Sequence, residues 1–243
     1  CIRDSDNGTM ATGWAKVKDQ WYYLNSNGAM ATGWIVYNSD YYYLTSSGAL
    51  AVNTVIDGWK IGSDGKRGDK VSSGGPSSSK VIVVDPGHNF GGDDGAYATH
   101  NGITYAERDL NMETSLKLKT KLEEKGYTVL LTRNPSDRET LGVTQSLTNR
   151  VNLANNFGAD FFVSIHHNSA GAASANGVEV YYSSNGQDAS FGGATSSSKV
   201  STSRTLATSI VNSISNQTGA YNRGAKDNNF FVCRNTKMPS CLL

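Results

Sequence analysis

The pattern of apolar and polar positions changes character part-way along the chain. In the first 66 residues the apolar positions are short aromatic clusters, Trp21-Tyr22-Tyr23-Leu24 and its likeness Tyr42-Tyr43-Leu44, between polar stretches. Such β-prone clusters, punctuated by Asn7-Gly8, Asn27-Gly28 and Asp64-Gly65, predict short hairpins. From residue 80 strands and helices alternate instead. Val81-Ile82-Val83-Val84 is a continuous apolar run, as in a strand buried on both faces. Residues 107–125 carry the i,i+4 pairs Met112/Leu116 and Leu118/Leu122 and then reach Gly126, which predicts a helix and its stop. Strands are expected at 128–133, 160–166 and 177–182, helices at 145–157 and 203–215, and extended chain at 229–234. The Gly- and Ser-rich residues 183–200 read as a loop. The whole predicts an α/β domain, a mixed twisted sheet with helices on both faces, preceded by a small all-β module.

That module is a repeat. A shift of 20 residues lays Gly8 and Met10 on Gly28 and Met30, and Ala11-Thr12-Gly13-Trp14 on Ala31-Thr32-Gly33-Trp34. A further copy begins at Gly48 and degenerates, with Thr54 where an aromatic is expected. Each unit is too small to bury a core alone, so the units should stack hairpin on hairpin. Lys66 to Lys80 has no apolar period and several Gly, Ser and Pro, as in a tether. The expected organisation is repeats over 1–66, a linker over 67–79 and the α/β domain over 80–243. Composition agrees: all four tryptophans fall in the first 66 residues, whereas all seven phenylalanines and all four histidines follow residue 87.

Charge and cysteine content narrow the classes. Among 243 residues, 22 Lys and Arg stand against 21 Asp and Glu, a net charge of +1. A balance so near zero argues against nucleic acid as the main partner. No apolar run approaches the ~18 residues of a membrane-spanning helix. Cys1, Cys233 and Cys241 are odd in number and unevenly spaced, so they form no disulfide framework.

Candidate chemistry sits at strand ends. Asp85-Pro86-Gly87-His88 follows the first strand, Glu107 opens the first helix, and His166 closes Val163-Ser164-Ile165-His166. Two histidines and a carboxylate can converge there into a His₂Glu zinc set. Each also has a plainer reading: Glu107, three residues after Thr104, could complete a capping box, His166 could be a core histidine, and His88 a turn residue. His166 and His167 are adjacent and point to opposite faces of a strand, so one of them at most is a ligand. His100 reads as a solvated loop residue, and Asp93 or Asp94, in the Gly-rich loop after His88, could approach the metal or be surface-loop carboxylates.

The ordered set Val-Ile-Val-Val-Asp-Pro-Gly-His, Glu-Arg-Asp-Leu-Asn-Met, Leu-Thr-Arg-Asn-Pro-Ser-Asp, Ala-Asp-Phe-Phe-Val-Ser-Ile-His-His-Asn and Lys-Met-Pro-Ser resembles the zinc-dependent N-acetylmuramoyl-L-alanine amidases of the amidase-3 type. The resemblance covers residues 80–243. It implies that His88, Glu107 and His166 bind Zn²⁺, with His167 a non-ligand neighbour. It also implies cleavage of the amide between N-acetylmuramic acid and the L-alanine of the stem peptide. A proton-accepting glutamate is expected shortly after the Met-Pro element, and the sequence stops at Leu243 before reaching it. The catalytic residue is therefore unassigned, and this stretch alone is expected to hydrolyse some 10²–10⁴-fold more slowly than a version carrying the base.

The recurring Gly-Trp and Tyr-Tyr-Leu elements resemble choline-binding (cell-wall-binding) repeats. That likeness implies a cage of Trp14, Trp21 and Tyr42 for a quaternary ammonium, and a second around Trp34 and Tyr41. The expected partners are peptidoglycan and choline-substituted teichoic acid, and the expected location is the cell wall or outside the cell, reached from a host cytoplasm if the enzyme is a phage endolysin. Two other classes stand beside this reading: a non-catalytic wall-binding protein, and a zinc peptidase or deacetylase acting on another wall bond. Product analysis separates them, since only an amidase frees the alanine amine and leaves the glycan intact.

Overall fold

The computed structural model describes residues 10–38, 40–70, 80–91, 93–135, 137, 140–169 and 174–243. Cys1, the Asn7-Gly8 turn and residues 71–79 of the expected linker lie outside them. The chain divides into two compact units, Cys1–Ser79 with Arg133–Thr140, and Lys80–Thr132 with Leu141–Leu243. Residues 133–140, expected within the α/β domain, thus group with the first unit. None of the described residues in that loop is buried, so it adds nothing to the second unit's core.

The first unit is a series of small antiparallel sheets: β1 (Gly13–Val17) with β2 (Gln20–Leu24), β3 (Gly33–Tyr37) with β4 (Asp40–Leu44), and β5 (Thr54–Ile56), β6 (Trp59–Ile61) and β7 (Arg67–Lys70). Trp14 pairs with Tyr23 and Trp34 with Tyr43, so the 20-residue repeat is also a repeat of register. Lys18 and Asp19 both have positive φ (47° and 65°), the backbone of a two-residue turn whose twist matches its strands. Each hairpin buries a leucine, Leu24 or Leu44. Backbone bonds join one to the next, Ala31 N–H donating to Tyr23 O at 2.8 Å and Leu50 N–H to Trp21 O at 2.7 Å. Strand β7 starts where the tether was expected. Arg-Gly-Asp-Lys has no apolar period, and its pairing to β6 is made by backbone.

The second unit holds a six-stranded sheet. Its strands are β8 (Val81–Pro86), β11 (Thr128–Leu131), β12 (Phe161–Ile165), β13 (Val178–Tyr182), β14 (Asn222–Asp227) and β15 (Ser240–Leu242), in the order β11-β8-β12-β15-β13-β14. A separate hairpin, β9 (Tyr97–His100) and β10 (Ile103–Ala106), precedes α1 (Glu107–Glu123). The other helices are α2 (Val143–Phe157), α3 (Ser197–Thr218) and α4 (Phe231–Asn235). Strands β11, β8, β12 and β15 are parallel, whereas β13 runs antiparallel to β15 and parallel to β14, so the sheet is mixed. All of β8 is buried, as its unbroken apolar run requires.

Alternate residues serve the two faces. Ile82, Val84, Val163 and Ile165 meet Leu118 and Leu122 of α1, while Val180, Tyr182 and Cys241 meet Ala207 and Val211 of α3. On the opposite face Arg150 of α2 reaches Asp85. Helices α1 and α3 stand apart and leave an apolar groove lined by Leu118, Leu122, Ile210 and Ile214 and floored by Ile82 and Leu243. Cys233 and Cys241 are free and buried, and burial pushes both thiols up, Cys241 to about 12. They are packing residues. No helix among the described residues is long and apolar enough to cross a membrane.

Several elements depart from the sequence pattern. The hairpin β9–β10, turned at Asn101-Gly102, was not expected and is exposed apart from Ala106, and strand β14 is an edge segment of polar sequence with no apolar period. Strand β15 has only three residues. Helix α3 begins at Ser197, inside the expected loop, where the Ser196 side chain accepts from Lys199 N–H as an N-cap. The segment 229–234, expected to be extended, contains helix α4. Its β-prone Phe-Phe-Val-Cys is overridden by Lys199, whose Nζ donates to the carbonyls of Cys233, Arg234 and Thr236 at 2.9, 3.0 and 2.5 Å. Burial pulls this lysine down to about 8, so the ammonium survives at neutral pH. Lys199→Met keeps the volume and strips these carbonyls of their donor. A loss of about 2 kcal/mol is expected, read as a lower urea midpoint at unchanged m.

Candidate metal centre

The carboxyl ends of β8 and β12 and the amino end of α1 meet at one point. His88 follows β8, His166 follows β12, and Glu107 is the first residue of α1. One ligand atom from each lies within 4.8 Å of the others. His88 Nε2 stands 3.1 Å from Glu107 Oε2, and His166 Nδ1 stands 3.0 Å from Glu107 Oε1. Glu107 is 8% exposed. Burial alone would push its carboxyl up, but the hydrogen bonds from His166 and from Ala96 N–H, with the histidines' charge, win and bring it to about 2. It is therefore an ionised donor at any working pH. Two imidazoles and one buried carboxylate form the nitrogen–oxygen donor set that zinc takes in catalytic sites, with room for a further ligand.

Neighbouring residues fix the donors. Asp93 Oδ1 lies 2.7 Å from His88 Nδ1, which occupies that nitrogen and turns Nε2 toward the centre. Asp94 pairs instead with Arg108, whose guanidinium also lies over the Phe90 ring at 4.0 Å. His88 itself has φ of 66°, a left-handed backbone uncommon for a residue with a side chain, at the point where the chain leaves β8. Thr104 lies in β10 and helix α1 has no side-chain cap, so Glu107 is not part of a capping box. His167 points away: its Nδ1 lies 2.8 Å from Asn111 Oδ1, and burial lowers its pKa. Asn111 Nδ2 in turn donates to Gly87 O at 3.2 Å, bracing the turn that carries His88. His100 is exposed, in β9 rather than a loop.

Two glycines make room. A Cβ on Gly87 would stand 2.3 Å from His166 Nε2, and one on Gly95 would stand 2.6 Å from the His88 ring and 2.8 Å from Glu107 Oε2. Gly95 also has φ of 74°. Gly95→Ala should push both donors out of register and weaken binding of a divalent metal about 10–100-fold, measured by competition with a chromophoric chelator, while His167→Ala leaves it unchanged. The sequence left Asp93 and Asp94 undistinguished and gave no sign that Gly95 makes room for the donors.

Residues 82–243 match the family model described as N-acetylmuramoyl-L-alanine amidase. The chain belongs to that family. A curated relative, N-acetylmuramoyl-L-alanine amidase LytC of Bacillus subtilis, is 33% identical over 168 residues, 69% of this chain and 29% of its own length. The probable cell wall amidase LytH of Staphylococcus aureus is 30% identical over 188 residues, 77% of this chain and 54% of its own length. The chain thus spans between a quarter and about half of these relatives. Among solved structures, the N-acetylmuramoyl-L-alanine amidase from Clostridium difficile 630 superposes with a TM-score of 0.54 and 31% identity, covering 68% of this chain and 78% of that one. Cwp6 from Clostridium difficile superposes at 0.53 with 32% identity, over 68% of this chain and 24% of that one.

The family's α/β fold accounts for the second unit, and a choline-binding repeat model matches residues 11–54 of the first. There the structure gathers rings around Trp14. Trp21 lies 6.4 Å from it and Tyr42, from the next hairpin, 5.0 Å, with Tyr23 and Tyr37 at 5.2 and 6.0 Å, all edge-to-face. Tyr23 and Tyr37 were not singled out in the sequence, because strand pairing and hairpin stacking bring them in. Trp34 packs on Tyr43 at 5.3 Å and donates from Nε1 to Asp57 at 2.7 Å, while Tyr41 is buried.

Proposed function

We propose that this chain is the wall-anchoring and hydrolytic part of a peptidoglycan hydrolase that cleaves the N-acetylmuramoyl–L-alanine amide. The observation that carries this reading is the convergence of His88, Glu107 and His166 in a chain of the amidase family. These three residues would hold the metal, and zinc is the ion their donor set suits. When bound, zinc supplies a Lewis acid for the lactyl carbonyl and lowers the pKa of a coordinated water from about 16 toward about 7. Asp93 holds the His88 ring in its ligating orientation, and Glu107 contributes negative charge without taking up a proton. Glu179 is not the proton acceptor, because Lys226, Tyr181 and Arg223 hold its carboxyl down at about 2.

The first unit serves as anchor. Trp14, Trp21 and Tyr42 present ring faces and edges to a quaternary ammonium such as the choline of teichoic acid, an attraction of about 2 kcal/mol when desolvated. The site of action is then the cell wall. The test is digestion of purified walls by the zinc-loaded protein. New free amino groups on L-alanine with glycan strands intact are expected, whereas new reducing ends, or free amines on another residue alone, would exclude the amidase. Elution from a choline-bearing resin by free choline tests the anchor.

A further inference from the structure

We propose that Arg223 and Lys226 form a receptor for a carboxylate of the leaving stem peptide, an inference that rests on the amidase reading. Sheet register places them. Leu242 pairs with Ser164 on one side and with Tyr181 on the other, so these three share a row across β12, β15 and β13. Two residues beyond Ser164, just past the end of β12, is His166, whose N–H still pairs with Leu243 O, and two residues back from Tyr181 along the antiparallel β13 is Glu179. His166 and Glu179 therefore share the next row, on one face, two strand spacings or about 10 Å apart. Asn168, two residues past His166, donates to Glu179 Oε1 at 3.4 Å.

Glu179 organises the cations rather than neutralising them. Its Oε2 accepts from Arg223 Nε at 2.9 Å and from Lys226 Nζ, and its Oε1 accepts from Tyr181 O–H at 2.8 Å. One carboxylate, 11% exposed, thus faces two cations that are 41% and 40% exposed, leaving one positive charge over. The register from Val178↔Asn222 to Val180↔Ala225 sets both Arg223 and Gly224 opposite Glu179, a bulge with Gly224 at φ of 88°. Bulges re-aim side chains, and here Arg223 turns to the same carboxylate as Lys226. With Nε engaged by Glu179, the outer edge of the Arg223 guanidinium suits a carboxylate in bidentate fashion. Arg223 and Lys226 reach Glu179 from β14, the next strand out, and a peptide chain advancing at most about 3.3–3.6 Å per residue brings a side-chain carboxylate on its second or third residue to them.

The test uses equilibrium binding, which needs no turnover. The probes are N-acetylmuramoyl-L-alanyl-glutamate with both carboxylates free and the same compound with both amidated. The native protein should bind the acid about tenfold more tightly, and Arg223→Gln with Lys226→Gln should erase that preference with little effect on the amide. Lys226→Gln alone should give a partial loss, which serves if the double variant misfolds. Equal binding of acid and amide by the native protein, binding of neither, or equal losses for both probes would overturn the receptor. Release of alanine amine from walls judges the amidase reading separately.

A different observation carries a second inference: we infer that the second aromatic site of the repeats is filled by the chain's own cation. The Arg67 Cζ lies 4.2 Å from the Tyr41 ring centroid and 4.3 Å from that of Trp59. Both distances are well inside the ~6 Å range of cation–π attraction. Tyr41 stands 20 residues after Trp21 of the first site, and the position 20 after Tyr42 is Gly62, which has no ring to offer. Trp59 covers the guanidinium instead. A free ammonium must displace a tethered one of high effective concentration, so that site should stay closed.

This inference rests on the choline reading of the first site. Calorimetric titration with choline should find no binding in Trp14→Ala and one restored site in Trp14→Ala with Arg67→Ala. Arg67→Ser provides the same test if the alanine variant is unstable. Residual binding in Trp14→Ala alone, or no gain in either Arg67 variant, would refute it. Absence of choline binding by the native protein would instead remove the choline reading itself, and this inference with it.

Discussion

His166→Ala is expected to abolish stoichiometric zinc at micromolar protein. The ion would be held by three side chains and a water, and structural sites of four ligands bind zinc with about 10–16 kcal/mol. An even share is roughly 2.5–4 kcal/mol per ligand, so losing one weakens binding about 10²–10³-fold. The same substitution also leaves Glu107 without one of the three groups, His166, Ala96 N–H and His88, that hold its carboxyl at about 2. Metal content after gel filtration and chelator competition measures the loss, and muropeptide release should fall in parallel. His167→Ala is the matched control, because its ring faces Asn111 on the other side of the strand. If the two variants lost zinc equally, the ligand set would be wrong.

Asp85→Ala is expected to lower stability by about 3–5 kcal/mol, a large part of the roughly 5–15 kcal/mol that holds a domain folded. Asp85 is 0% exposed at the end of the central strand. Its carboxylate accepts from Thr132 O–H at 2.5 Å and from Ser164 O–H at 2.6 Å, and faces Arg150 NH1 at 3.7 Å. Arg150 is 5% exposed, and its hydrogen bond to Ser146, at 2.9 Å, carries no opposing charge. Removing the carboxylate leaves a buried guanidinium uncompensated, which costs more than the pair contributes. A compensated variant, Asp85→Leu with Arg150→Met, should recover much of the loss. Urea unfolding of the three proteins at neutral pH makes the comparison, and a single variant within about 1 kcal/mol of the native protein would show the cluster to be inert. Asp85 also begins the turn that carries His88, so zinc affinity should fall with stability in the single variant.

The sequence made some features legible because their signals are local or repeated. A buried central strand must be apolar throughout, and Val81–Val84 reads so. Helix α2 carries the 3.6-residue period, whereas α1 is marked only by its i,i+4 apolar pairs and the Gly126 stop. The repeat is visible because identical residues recur every 20 positions. Where the structure departed, the signal lay elsewhere. Strand β14 has no apolar pattern because it is an edge held by backbone pairing, and α4 is helical because a lysine from another helix closes its end.

Composition and order of residues by themselves determined that the chain has a repetitive aromatic part and an α/β part, and that His88, Glu107 and His166 fall at element ends. Local propensity and periodicity suffice for that. Only the tertiary structure decided that Asp93 rather than Asp94 fixes His88, that Gly95 gives the donors room, and that Glu179, which gathers Arg223 and Lys226, shares a row with His166. Those relations join residues from different strands, and sheet order and register, which no local pattern encodes, set the distances between them.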